Sequence, residues 1–308
     1  MIFWRDKNTV TTNAGQSKNK FLLMIDSLVY FAKQRLYAHP KLRQLLCLFR
    51  PPDRQLILDS YERLFEYIEG SVTVQTQDFG IVEIGCRSQV LRRILVERKY
   101  EPELVDALRK HVDPSKDALD IGANVGIFTI FLAGLLSEGR RVLAVEPTPG
   151  ARGYLKRNID AHNCADRVIL FEGVATETNG DFTLNVVEGM EEFSSLLTLA
   201  SPGIRNLEQK HIRVPGRTID SLVEQHKLAP GIIKIDVEGA ELQVLRGAKQ
   251  TLLIHRPVIC FEAWPEEMLR AAGGSRPGAA AEYLAACGYV IFDCGPNELV
   301  AMPKEGVN

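Results

Sequence analysis

Paired cysteines are missing from this chain. Its six cysteines, at 47, 86, 164, 260, 287 and 294, form no CxxC, which reads as reduced thiols in a cytosolic protein. The six histidines form no HxxxH or HxH pair, so a zinc site has no support. No run of about 18 apolar residues occurs, and nothing is expected to span a bilayer. The most apolar N-terminal stretch, 21–32, is interrupted by Asp26 and lacks a small-residue cleavage site; it fails as a signal peptide. Glycine (24) and proline (15) are too few among 308 residues for a collagen-like or largely disordered chain. What is present is the balance of a soluble globular protein, 45% hydrophobic and 25% charged, long enough to bury a core without disulfide or metal staples.

The net charge of -2 is unevenly spread and gives no ground for a nucleic-acid partner. Residues 1–50 hold nine lysines and arginines against Asp6 and Asp26. Such a basic arm reads as a solvated helix face, with peripheral contact to an anionic membrane surface as the alternative. Residues 1–20 carry no apolar period and are expected to be mobile. Residues 21–100 are expected to form N-terminal helices and a β-hairpin: Leu22, Ile25, Val29, Ala32 and Leu36 recur at helical spacing, and His39-Pro40 breaks the run. A further helix fits 56–68, and the alternating 71–76 and 81–84 read as the hairpin. These helices are expected to pack beside the rest or to form a homodimer.

From residue 101 to 308 short apolar runs alternate with helical patterns. A helix at about 103–111 precedes strands at 118–121, 141–145, 168–171, 231–235 and 258–261. Helices at 128–136, 150–162, 241–253 and 277–286 separate or follow them. Alternation of this kind predicts an α/β fold with a mostly parallel sheet. Strands at 289–292 and 299–302, joined across Cys294-Gly295-Pro296-Asn297, add an antiparallel C-terminal edge. Between 176 and 230 the helical signal fades, and an inserted hairpin or flap is expected to cap the cleft, with Ser194-Ser195 near a polar substrate. Ligands of open α/β sheets bind at the carboxyl ends of the strands, so the strand-to-helix loops should carry the chemistry.

Asp120-Ile121-Gly122-Ala123-Asn124-Val125-Gly126 is the first such loop. Gly122 and Gly126 permit a sharp turn and a close ligand approach, with Ala123 and Asn124 between them. The following helix offers open N–H groups to a carboxylate. Asp120 suits a ligand that carries an amine or sulfonium cation. Glu146, followed by Pro147 at the end of the next strand, can accept two ribose hydroxyls. A dinucleotide fingerprint fails here, because Asn124 and Ile127 occupy the second and third glycine positions and Asp120 repels pyrophosphate. S-adenosyl-L-methionine fits better. Glu172, at the third strand's end, is expected to accept the adenine amine, with Val174 and Ala175 as apolar contacts.

The second informative loop is Lys234-Ile235-Asp236-Val237-Glu238-Gly239-Ala240-Glu241. Lys234, Asp236 and Glu238 share one side of an extended chain at period 2. Helix-terminus charge explains Glu241 but not Asp236.

These segments together resemble the FkbM family of S-adenosylmethionine-dependent methyltransferases. The resemblance rests on Asp120-x-Gly-Ala-Asn-x-Gly, Glu146-Pro147, Arg217-Thr218-Ile219-Asp220 and the 233–241 stretch, with Tyr100-Glu101-Pro102-Glu103 as lead-in. It covers roughly residues 80–270. It implies a Rossmann-like, seven-stranded methyltransferase domain over 101–308 and O-methylation of a hydroxyl on a sugar, glycan or polyketide-like product. On that expectation Asp236 is the base or metal ligand, Glu238 its partner, and Lys234 holds the carboxylates ionised or steers the substrate. Glu262 and Trp264 bind the acceptor. Magnesium or manganese held by Asp236 and Glu238 is an open alternative to a direct base. Three rival readings stay open: an NAD-dependent oxidoreductase, an N-methyltransferase, and a non-catalytic assembly module.

Overall fold

The structure, a computed structural model, describes residues 70–97, 99–187, 194–197 and 209–306. The expected mobile segment 1–20, the basic arm and the helices before residue 69 lie outside the described residues.

The described chain begins with the hairpin, β1 (Ser71–Gln75) and β2 (Ile81–Gly85), paired antiparallel in full register. Helices α1 (Gln89–Glu97) and α2 (Pro102–His111) follow. The main sheet then starts with β3 (Asp117–Ile121), α3 (Ile127–Leu135), β4 (Val142–Val145), α4 (Pro149–Ala161) and β5 (Val168–Phe171). An insert contributes β6 (Val174–Ala175), β7 (Gly180–Val187) and β8 (Gln209–Arg217). The sheet resumes with α5 (Ile219–His226), β9 (Pro230–Ile235), α6 (Glu241–Arg246), α7 (Lys249–Ile254) and β10 (Val258–Glu262). It closes with α8 (Glu266–Ala272), α9 (Ala279–Ala286), β11 (Tyr289–Gly295) and β12 (Glu298–Pro303).

Seven strands pair in the order β11-β12-β10-β9-β3-β4-β5. The run from β10 to β5 is parallel, and β12 lies antiparallel to both β10 and β11. The expected α/β sheet with an antiparallel C-terminal edge is therefore present. Every residue of β3 and β9 is buried, the mark of strands covered on both faces. Leu119, Ile233 and Phe261 share one core with Ile219, Leu222, Val244 and Leu252 from the helices. Asp117 fixes the lower end: its carboxylate accepts from the Arg141 and Ala229 N–H groups, both at 2.8 Å.

Four local expectations need correction. The predicted helix at 241–253 is two helices. The Asp220 N–H donates to the Gly247 carbonyl, and the Asp220 carboxylate accepts from Gln250 and Thr251 N–H, so a new helix starts at Lys249. The segment 176–230 is not purely hairpin. Thr218 caps α5 through its side chain, and Ile219, Leu222 and Val223 give that helix a buried face. Helices α1 and α8 were not foreseen, being short pieces in which local pattern is weak. The insert itself forms a second sheet, ordered β6-β8-β7, with its own small core of Val174, Leu184, Val186 and Val214.

Candidate active site

At the carboxyl ends of β3, β4, β9 and β10 lies a cavity of about 370 Å³, a size ordinary for small-molecule sites. It straddles the boundary between β3 and β9, where the strand order reverses, as ligand sites of open α/β sheets do. One wall carries Gly122, Asn124, Glu146, Pro147, Val174 and Ala175. Asp236, Glu238, Glu262, Trp264 and Glu298 also line the cavity. Leu184 and residues 194–196 of the insert close over it. That insert is tied to the β9 loop: the Ser195 hydroxyl donates to the Glu238 carbonyl at 3.0 Å, and Ser195 and Asn185 exchange backbone hydrogen bonds.

Glu146 is buried at the end of β4. One carboxylate oxygen accepts from the Asn124 N–H at 2.8 Å, and the other from the Thr148 N–H and hydroxyl at 2.8 and 2.6 Å. Burial pushes this carboxyl up, while those donors and Arg152 oppose the rise. The donors fix the carboxylate in one orientation at the cavity wall and leave one acceptor site, on Oε2, for a ligand's hydroxyl.

Lys234 is the centre of the other half. It is 3% exposed, and its Nζ donates to the Gly122 carbonyl at 3.0 Å. The same nitrogen lies 3.4 Å from both Asp120 Oδ1 and Asp236 Oδ2, and 5.4 Å from the Phe128 ring centroid. Burial works against its charge, yet Asp236 and Asp120, aided by Glu101 and Glu298, keep the ammonium protonated beyond the ordinary lysine range. A buried ammonium between two carboxylates ties the β3 loop to the β9 loop and fixes the Asp236 side chain at the cavity.

The extended chain expected at Lys234, Asp236 and Glu238 stops at Ile235. Glu238 adopts a left-handed φ of 54°, and this turn brings Asp236, Glu238 and Glu262 together. Oxygens of these three carboxylates lie within 4.8 Å of one another, a donor set suited to magnesium or manganese. Glu262 accepts from Trp264 Nε1 at 2.9 Å. Burial, then the charges of Asp236, Glu241 and Glu298, push Glu262 up to about 9.

Five expected site residues do not line the cavity. Asp120 is wholly buried behind it, bonded to the Thr129 hydroxyl at 2.6 Å and paired with Lys234, so its charge answers an internal cation. Lys234 itself sits in that second layer. Glu172 is drawn to the surface by Lys156 at 2.6 Å and Arg152 at 3.4 Å, which hold its carboxyl below the usual range. Ala123 is buried off the wall. Gly126 serves packing, since a Cβ there would stand 2.2 Å from Leu155 Cδ1. Gly122 does reach the cavity, but the space its missing Cβ leaves belongs to the Asp236 carbonyl, 1.8 Å from the position a Cβ would take.

Sequence reasoning missed several wall residues: Arg93 on α1, Tyr100 and Glu101 before α2, Met268 on α8, and Glu298 on β12. Tyr100-Glu101 stood out only as a lead-in. Glu298 gives no local signal, because pairing across strands brings it to the site.

Residues 120–291 match the family described as Methyltransferase FkbM domain, more than half of the chain. Among characterised proteins, the chain is 26% identical over 143 residues to Methyltransferase 1 of Beauveria bassiana (strain ARSEF 2860), covering 42% of this chain and 57% of that protein. It is 28% identical over 196 residues to the 31-O-demethyl-FK506 methyltransferase FkbM of Streptomyces tacrolimicus, covering 54% and 71% respectively. The crystal structure of a methyltransferase FkbM from Methylobacillus flagellatus KT superposes with a TM-score of 0.41 at 21% identity, over 61% of this chain and 44% of that one. With the family domain matched across the sheet that forms the cavity, the chain belongs to the FkbM methyltransferase family.

Proposed function

We propose that this protein transfers a methyl group from S-adenosyl-L-methionine to a hydroxyl of a sugar, glycan or polyketide-like acceptor. The observation that carries the reading is one cavity in an FkbM domain that joins an oriented carboxylate, Glu146, to an acidic, aromatic-walled end at Asp236 and Trp264. When bound, the donor supplies a sulfonium-activated methyl, which leaves its sulfur for the acceptor oxygen.

The residues present fit that group. Glu146 accepts a ribose hydroxyl, and Pro147, Val174 and Ala175 give the adenine an apolar wall. At the other end, Asp236 takes the proton of the acceptor hydroxyl as the C–O bond forms, a contribution of about 10²–10⁴-fold from a positioned base. Lys234, 3.4 Å from Asp236, positions that carboxylate for this role. Trp264 packs on an acceptor face, with Glu262 behind it to accept a hydroxyl donor. Alignment of acceptor and donor in the closed cavity supplies the rest of the rate.

A second reading has its own observation: the mutual approach of Asp236, Glu238 and Glu262. In that reading the three carboxylates hold a magnesium or manganese ion, which lowers the pKa of the acceptor hydroxyl.

Calorimetry with S-adenosylhomocysteine and with NAD tests the donor assignment; heat with the first and none with the second is expected. Mass spectrometry of glycan and small-molecule extracts, with and without the enzyme and donor, then identifies the acceptor by its added methyl. Methylation at an amine would overturn the hydroxyl assignment and leave the donor assignment standing.

A further inference from the structure

We infer that Glu101, outside the matched family domain, is a further binding residue for the ammonium of the bound methyl donor, with Arg93 and Tyr100 as its positioning residues. This rests on the methyl-donor reading above.

The inference begins with a charge that lacks its expected partner. Asp120 was the acidic residue suited to a cationic ligand, yet it is wholly buried, paired with Lys234, and absent from the cavity wall. A ligand ammonium in this cavity must therefore be met by a carboxylate of the wall itself, and Glu101 is one of these. Lys234 bonds the Gly122 carbonyl and pairs with Asp236, and the charges of both Asp236 and Lys234 act on Glu101. Glu101 therefore belongs to the same corner of the cavity, whose wall it forms.

Its own geometry leaves one oxygen open. Oε1 accepts from Arg93 Nη1 at 2.7 Å and the Tyr100 hydroxyl also bonds this carboxyl, while Oε2 is buried and makes no hydrogen bond of good geometry. A buried carboxylate oxygen without a donor is unfavourable unless a ligand completes it. Glu101 is also the N-cap residue of α2, and its side chain makes no capping bond. Its φ of 43° is left-handed, a conformation seldom taken by residues other than glycine, asparagine or aspartate. The turn is held from outside. The Arg93 guanidinium lies 4.8 Å from the Tyr100 ring centroid, and that ring packs against Phe128 in the first turn after the glycine loop.

The test is calorimetry on the full chain with two probes: S-adenosylhomocysteine, which carries the ammonium, and 5′-methylthioadenosine, which has the same nucleoside thioether without it. Glu101→Gln should weaken the first by about ten- to a hundredfold, the range for a hydrogen bond to a charged group, and leave the second within about twofold. Glu101→Asp, which keeps the charge but withdraws it by one methylene, should weaken the same probe selectively. Unchanged affinity for S-adenosylhomocysteine in both variants, or equal loss for both probes, would overturn the assignment. Failure of the unmodified chain to bind either probe would instead overturn the methyl-donor reading.

Discussion

Glu262 and Glu298 face each other directly across the antiparallel β10–β12 ladder, at the mouth of the cavity. Like charges in opposed positions repel, and burial adds to the cost of ionising either one. Burial and then neighbouring carboxylates push Glu262 up to about 9 and Glu298 up to about 8.

An acid whose pKa is higher in the folded chain binds its proton more tightly there, so the folded state holds more protons than the unfolded one above about pH 4.5. Stability should therefore fall as pH rises from about 5 to about 9, with no contribution from this pair below the unfolded value. Thermal unfolding across that range should show the decline, and Glu298→Gln should flatten it and raise Tm at the alkaline end. Parallel curves for the two proteins would refute the like-charge account.

Removing the buried ammonium should be costly. Lys234→Met leaves Asp120 charged and wholly buried, a loss on the order of 3–5 kcal/mol by comparison with other broken buried pairs. Urea denaturation should record it, and Asp120→Asn in the same chain should restore part. Equal stability of Lys234→Met and the unmodified protein would mean that Asp120 does not depend on this lysine.

Gly122→Ala should act at two levels. The added Cβ meets the Asp236 carbonyl, and φ at this position is +79°. Stability should drop by more than about 1 kcal/mol, and turnover should fall further because the displaced strand end carries the proposed base. Denaturant titration and rate measurements on one preparation separate the effects.

Asp236→Asn should lower turnover by about 10²–10⁴-fold with S-adenosylhomocysteine affinity unchanged. Chelation distinguishes the two chemical readings. If turnover survives EDTA, Asp236 is a direct base; if it is lost and manganese restores it, the Asp236–Glu238–Glu262 cluster holds a cation. Wild-type rates from Asp236→Asn would remove this residue from the chemistry altogether.

The sheet was legible in the sequence because its determinants are local. Apolar runs at 118–121, 141–145 and 231–235, each followed by a helical pattern, with further runs at 168–171 and 258–261, allow little except parallel strands with helical crossovers. The loops bearing Gly122, Glu146 and Asp236 could be named for the same reason, since residues at strand ends reach the site through the backbone alone. Partnership could not be read this way. Asp120 and Glu172 both looked like ligand contacts, but Lys234 lies 114 positions beyond the first and Lys156 sixteen before the second, and only packing decides which cation each carboxylate meets. Glu101 and Glu298 enter the cavity from segments before and after the matched family domain. Their place depends on a left-handed turn and on strand register, contacts between residues far apart in the chain. The sequence by itself determined the scaffold and the ends of its strands; the tertiary structure decided which charges are spent inside the protein and which are left for a ligand.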